Sequence, residues 1–320
     1  MAIEHFSKIK ALIREADEIG LLCKARNLTG FSGEKLVGTL QRIAKYQADR
    51  SAGCYLEVGV FKGLSLLSVA SVLCEERAYG IDNFSQFDPC GNNERIIAES
   101  ARGNGLHNVR LINSDYEDAL ENLGVHIGDS KVGLYFVDGP HDYRSQLVCL
   151  QLAKPYLSDL AVIVVDDCNY RHVRLANRDF LIANQEYKLL FEAYTKCHPA
   201  NMGKGSEWEM DARKGWWNGV NVIVHDPQGE LHRMVPETMR ERTLYENEHL
   251  VHSARYGFLA LDAVACFQSV ISFKLWRALK GLVRMGIKAR HMDRNLLGCY
   301  ESMNTFSEGL PMGQFNEKLL

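Results

Sequence analysis

The sequence has no CxxC pair. Its nine cysteines, at 23, 54, 74, 90, 149, 168, 197, 266 and 299, are an odd and scattered set. That spacing excludes a zinc knuckle. Several lie in apolar runs, where free thiols behave as small core residues, and a reducing, cytoplasmic compartment is expected. Long apolar runs are also missing. No uncharged stretch reaches 18 residues, and the greasiest, 256–273, is interrupted by Asp262 and Gln268. A membrane-spanning helix is thereby excluded. The first 20 residues carry charge throughout, as an amphipathic helix does and a secretory leader does not. There is no charge excess either: 37 Lys and Arg stand against 40 Asp and Glu, a net of −3. Such a balance gives no global pull toward nucleic acid. No internal repeat is found. With 46% hydrophobic and 24% charged residues over 320 positions, the chain suits one large folded domain with appendages, or two.

What is present is periodic. Residues 1–50 form a helical N-terminal cap, with His5, Ile9, Leu12 and Ile13, then Leu36, Leu40, Ile43 and Ala44, near helical spacing. Asn27–Gly33 is a turn between the two helices, with Ser32 placed to cap the second. From 51 to 236 the fold class is α/β. Strands at 54–59, 78–82, 108–115, 132–139 and 160–167 alternate with helices at 64–73, 92–103 and 143–157. Unbroken apolar strands in that alternation predict a mostly parallel sheet covered on both faces. Two later strands, 187–194 and 219–226, lack a full crossover helix and predict an antiparallel hairpin at one edge. Residues 198–218 between them read as a loop holding Gly203, Gly205, Gly215, Trp208, Trp216 and Trp217. Residues 237–320 read as a helical C-terminal region separate from the sheet.

The first candidate site is the turn Glu57-Val-Gly59-Val-Phe-Lys-Gly63, which follows a strand and opens a helix. Glycine there allows a close backbone approach, and a helix start offers free amides. A dinucleotide fingerprint needs GxGxxG, and this turn lacks the glycine pair that seats a pyrophosphate. An acidic residue instead suits a ligand carrying an amine. Asp82, 19 residues after Gly63 at the end of the second strand, can accept two hydrogen bonds from a ribose diol.

The second candidate site is Asp138-Gly-Pro-His141 after strand four and Asp166-Asp167 after strand five. Three carboxylates at one sheet edge repel one another unless a cation sits among them, and magnesium favours oxygen ligands. A bound cation would stabilise a forming alkoxide, and His141 titrates near neutrality as a general base should. Asp138 itself is the next candidate base, with His172. Both His172 and His198 read as surface histidines, and Tyr143 as a packing residue.

The glycine turn resembles the S-adenosylmethionine-binding turn of class I methyltransferases. The resemblance implies a Rossmann-like sheet and S-adenosyl-L-methionine as cofactor. It places Glu57, Gly59, Gly63 and Ser65 at the turn, Asp82 on the ribose, and Ser114 and Asp115 at the adenine. The second site is similar to that of metal-dependent sugar O-methyltransferases of macrolide and related antibiotic pathways, over roughly residues 30–226. That likeness implies Mg2+ or another divalent cation on Asp138, Asp166 and Asp167, with His141 as base. It also implies a sugar, other hydroxylated small molecule or glycoconjugate as acceptor. Catechol O-methyltransferases carry Asp-Asn at the pair, whereas this chain has Asp-Asp and then Cys168-Asn169, so Asn169 stands as an alternative ligand. Two other readings remain: an N-methyltransferase without metal, its carboxylates holding an amine, and a non-catalytic cofactor-binding regulator. The intact Asp138–His141 turn speaks against the regulator.

Two features lie outside these sites. Trp208 reads as a lid residue, while Trp216 and Trp217 either share that role or anchor the hairpin. Segment 274–294 carries Lys274, Arg277, Lys280, Arg284, Lys288, Arg290 and Arg294 beside an apolar stripe. Such a helix packs on its own domain or a sister subunit in a homo-oligomer, or lies on an anionic membrane surface. With no known RNA-binding module in the sequence, nucleic acid is disfavoured.

Overall fold

The strands are written in alternation. In β1 (Cys54–Val58), Cys54, Leu56 and Val58 enter one core and Tyr55 the other. In β4 (Val132–Val137), Leu134 and Phe136 face opposite ways to Tyr135 and Val137. In β5 (Leu157–Val165), Val162 and Val164 oppose Ile163 and Val165. Period-two chains that are apolar on both sides bury both faces, so each strand separates two layers of helices. The computed structural model describes residues 2–196, 205–238, 259–296 and 310–315.

Together with β2 (Ala78–Ile81), β3 (Val109–Ile112), β6 (Tyr187–Ala193), β7 (Val220–His225) and β8 (Gln314–Phe315), these strands form one sheet of order β3-β2-β1-β4-β5-β7-β6-β8. The first five run parallel, and β7, β6 and β8 pair antiparallel. The expected mostly parallel Rossmann-like sheet with an antiparallel hairpin is therefore present. The hairpin is not the outermost element, however. Gln314 and Phe315 pair with Glu192 and Phe191, and Tyr194 N donates to the Pro311 carbonyl. Part of the C-terminal region is thus stitched to the sheet, against the expectation that all of it stands apart. An isolated two-residue strand has no periodicity to reveal it.

On one face lie α1 (Ala2–Ile19), α2 (Glu34–Asp49) and α3 (Leu64–Ala70), and α4 (Asn93–Gly103) packs there through Ile97. On the other lie α5 (Tyr116–Glu121), α6 (Leu123–Ile127), α7 (Tyr143–Ala153) and α8 (Arg171–Ala183). Phe6, Ile9, Ile13, Leu36, Leu40 and Ile43 share a core cluster with Tyr55, Leu134 and Val164. The start of α2 departs from expectation: its cap is Gly33, with no side-chain bond, and the buried Ser32 hydroxyl has no partner.

Four helices escaped the periodicity reading, two of them, α5 and α6, only six and five residues long. Helix α8 buries Arg174 and Asn177 among Val173, Leu175, Ala176, Phe180 and Leu181, which blurs its apolar stripe. Helix α9 (Glu207–Lys214) lies inside the expected loop. Ser206 Oγ accepts from Glu209 N at 3.2 Å, and acidic residues in its first turn and basic ones in its last suit the helix dipole. His198 and Gly203 fall outside the described residues, as do positions 239–258, 297–309 and 316–320 of the C-terminal region.

Candidate active site

Register assembles the site. Val58 pairs with Ile81 on one side and Val137 on the other, and Val137 pairs with Val165. The next residues, Gly59, Asp82, Asp138 and Asp166, therefore leave the sheet side by side at its carboxyl edge. Strand order reverses at β1, where open α/β sheets form their ligand crevice.

At the turn, Gly59 holds φ +88°. A Cβ there would collide with the Asp138 carbonyl, so the crossing of neighbouring chain, rather than a ligand, already requires glycine. Gly63, at φ +81°, precedes the first residue of α3. Glu57 is fully buried. It accepts from Tyr55 Oη at 2.6 Å and Ser65 Oγ at 2.9 Å, with the Leu66 amide also bonded to it. Burial outweighs these bonds and pushes its carboxyl up to about 8. Glu57 therefore clamps β1 to α3 and does not open onto the crevice. Asp82 Oδ2 accepts from Val60 N at 2.9 Å and Phe61 N at 2.8 Å, and its Oδ1 accepts from Phe84 N at 2.7 Å. The amides of Val60 and Phe61 in the turn, and of Leu66 in the first turn of α3, are thus taken by carboxylates of this chain. A helix start already facing two carboxylates is no seat for a pyrophosphate. The remaining lone pairs of Asp82 stay available to a diol.

Asp115 caps α5, its Oδ1 accepting from Glu117 N at 2.9 Å. Asn83 Nδ2 donates to Asp115 Oδ2 at 3.4 Å, which ties the end of β2 to the end of β3. Ser114 N donates to the Ile112 carbonyl at 3.1 Å, and Ile112 pairs with Ile81, so Ser114 and Asp115 leave β3 next to Asp82 at the end of β2.

The acidic group lies next to it. Burial first, then the charges of Asp166, Asp167, Glu57 and Asp82, push the Asp138 carboxyl well above the usual range. Burial and Asp167 do the same to Asp166. Asp166 Oδ1 accepts from Asp167 N at 2.8 Å, while its Oδ2 is buried without a partner. Asp167 adopts φ +56°, a left-handed backbone unusual outside glycine. Its Oδ2 lies 2.8 Å from His141 Nε2, and its Oδ1 accepts from Asn218 Nδ2 at 2.6 Å. Burial works against a charge on His141, but Asp167 outweighs it, so the imidazole titrates above its ordinary value. The ring stacks on Tyr170, with centroids 5.1 Å apart.

Among the described residues, no three His, Cys, Asp or Glu side chains are grouped to hold a metal ion as they stand. Asp167 has both oxygens engaged, by His141 and Asn218. Asp138 and Asp166 fit a hard cation, since they repel each other and Asp166 keeps an orphaned oxygen. Asn169 does not: its Nδ2 donates to Thr195 O and Oγ1, and its Oδ1 accepts from Thr195 N.

Other expected residues lie elsewhere. Tyr143 Oη donates to Asp179 at 2.8 Å, a packing contact. His172 is buried in α8 and is not a surface residue. Trp216 is buried against Phe191 of β6 and anchors the hairpin, whereas Trp217 is buried against Phe31 of the N-terminal turn. Trp208 is exposed, with Lys196 Nζ 4.4 Å from its ring centre. Sequence reasoning missed Asn218, and it missed an aromatic group over the turn. Phe31 stacks on Phe61 at 5.1 Å, and Phe87 meets Phe61 edge-on at 6.3 Å, with Phe31 and Phe87 exposed. The positive φ of Phe61, Phe84 and Phe87 leaves no trace in composition.

Residues 56–168 match the family described as a methyltransferase domain. Similar solved structures include the O-methyltransferase from Bacillus cereus in complex with SAH, 13% identical, with a TM-score of 0.46 over 70% of this chain and 91% of that one. Another is the O-methyltransferase TomG from Streptomyces achromogenes, involved in tomaymycin synthesis and bound to SAM. It is 17% identical, with a TM-score of 0.43 over 70% and 90% of the two chains. The SAH-bound methyltransferase PaMTH1 of Podospora anserina is 14% identical, with a TM-score of 0.41 over 70% and 87%. No curated protein matches the chain.

Proposed function

We propose that this methyltransferase domain moves a methyl group from S-adenosyl-L-methionine to a hydroxyl of a sugar, or of another hydroxylated natural product or glycoconjugate. The observation that carries the reading is the row of Asp138, Asp166 and the Asp167–His141 pair beside a turn closed to anions. Asp138 and Asp166 would hold Mg2+ or another divalent cation, with Asp167 joining if it releases His141. When bound, the sulfonium supplies an electrophilic methyl, and the cation draws the acceptor hydroxyl toward its alkoxide. Asp82 would receive the ribose diol, and Ser114 and Asp115 would flank the adenine. With Nε2 held by Asp167, His141 presents Nδ1 as the proton acceptor. Phe31, Phe61 and Phe87 offer ring faces to a sugar and help exclude water.

Calorimetry should show saturable binding of both S-adenosylhomocysteine and Mg2+. Asp166→Ala should lose Mg2+ and keep S-adenosylhomocysteine, because the cation would touch the acceptor and not the adenosine. On a hydroxylated acceptor found by methyl-label screening, chelator should abolish transfer and Mg2+ restore it. His141→Ala should slow turnover roughly 10²–10⁴-fold, less at high pH, where the hydroxyl needs less help. Full transfer in chelator would overturn the metal and leave the carboxylates to an amine acceptor.

A further inference from the structure

Beyond the sheet stand two helices, Ala260–Ile271 and Leu275–Leu296, packed on each other as a hairpin. Gly281 lets them approach closely, since a Cβ there would strike Cys266 Sγ. Lys288 Nζ reaches Asp262 at 2.6 Å across the same seam. Ala278 and Cys266 are buried between them, yet much of the apolar surface is left outside. Of the 20 exposed large hydrophobics among the described residues, 11 lie between Val264 and Ile287. Exposure peaks around the turn joining the helices, where Phe273 is 89% accessible, with Ile271 at 77% before it and Trp276 at 68% after it. Leu275, Trp276, Leu279, Leu282, Val283 and Ile287 continue from it as one stripe at helical spacing. Exposed Arg277, Lys280, Arg284 and Lys288 line the adjoining face. Residues 259–296 carry seven Lys and Arg against Asp262 and Asp293, a net of +5 in a chain whose total is −3, which leaves −8 on the rest.

We infer that this hairpin is a peripheral membrane anchor for a bilayer containing anionic phospholipid. An apolar tip bearing Phe273 and Trp276, flanked by cations, matches the interface between acyl chains and phosphate headgroups. Charge selects this occupant over a second copy of the hairpin, which would bring +5 against +5. No described helix is long and apolar enough to cross a membrane, so the contact lies on the surface. It would hold whatever reaction the sheet edge performs.

Co-sedimentation of the full chain with vesicles tests this, using phosphatidylcholine alone and phosphatidylcholine mixed with phosphatidylglycerol. Binding should appear on the mixed vesicles at low salt, weaken as salt rises, and be much poorer on phosphatidylcholine alone. The double variant Lys280→Glu, Arg284→Glu should weaken it by about 30-fold or more, at about 1 kcal/mol per basic residue lost. Phe273→Ser with Trp276→Ser should weaken it at unchanged charge. Light scattering runs in parallel. Equal binding to both vesicle types, or none to either, would overturn the inference. A solution dimer lost in the Phe273 and Trp276 variant, without vesicle binding, would assign the hairpin to a second copy instead.

Discussion

At the residue scale, Asn218 decides how Asp167 is held. A carboxylate only accepts, so the amide nitrogen of Asn218 must face Asp167 Oδ1, and the amide oxygen is then turned into buried space with no donor. Asn218 is itself fully buried. It is also flanked by strain, with Trp217 at φ +54° and Asp167 at φ +56°. Non-glycine residues in that region cost of order 1–3 kcal/mol each and cluster where a fold must aim a side chain. Asn218→Ala removes the donor that fixes one oxygen of Asp167, and with it the carboxylate that orients His141. Outer-sphere losses of this kind typically cost about 10–100-fold in metal affinity or activity. Turnover of the variant should therefore fall by that order, while S-adenosylhomocysteine affinity holds. Unchanged turnover would mean that other contacts suffice to aim Asp167.

At the element scale, the junction of β1 and α3 should respond to pH. Glu57 titrates near 8 in the folded chain, mainly because it is buried, against about 4.3 when unfolded. Between those values the folded state holds a proton that the unfolded state has released. Stability must then fall as pH rises through the window, by at most about 1.4 kcal/mol per pH unit. Glu57→Gln cannot ionise and still offers an oxygen to Tyr55 or Ser65. Melting curves from pH 5 to 8 should show the variant gaining on the parent as pH rises; a constant difference would mean that Glu57 stays ionised in the fold. The same junction shows what the sequence makes legible. Strands β1, β4 and β5 are apolar on both sides and end at once in chemistry, so Gly59, Asp138 and Asp166 are found with them. Asn218 lies 51 residues past Asp167. It reaches the acids only because β7 is antiparallel, with Val165 opposite Asn221, so its opening residues meet the ends of the parallel strands. The aromatic group draws Phe31, Phe61, Phe87 and Trp217 from four separate segments, and no spacing rule joins them.

At the scale of the whole molecule, the boundaries read from composition divide stability unevenly. A helical stretch at 1–50 looks detachable in sequence because a turn separates it from the first strand. In the structure its apolar faces complete the core against one face of the sheet, with Leu40 and Leu134 fully or almost fully buried in the same cluster. The sheet would expose that face without it. The hairpin of residues 259–296 is the opposite case, with apolar residues that no other described element covers. Two substitutions separate these situations. Leu40→Ala should cost about 2–5 kcal/mol, the transfer loss plus the cavity left in a packed interior. Phe267→Ser, at a side chain 70% exposed, should stay within about 0.5 kcal/mol. Urea unfolding followed by sheet circular dichroism measures both. A chain beginning at residue 51 should fail to give a cooperative transition at all, since β1, β4 and β5 would lose the helices that seal them. If that shortened chain unfolded cooperatively at the parent's midpoint, residues 1–50 would be an appendage, and α3 to α8 would suffice to cover the sheet.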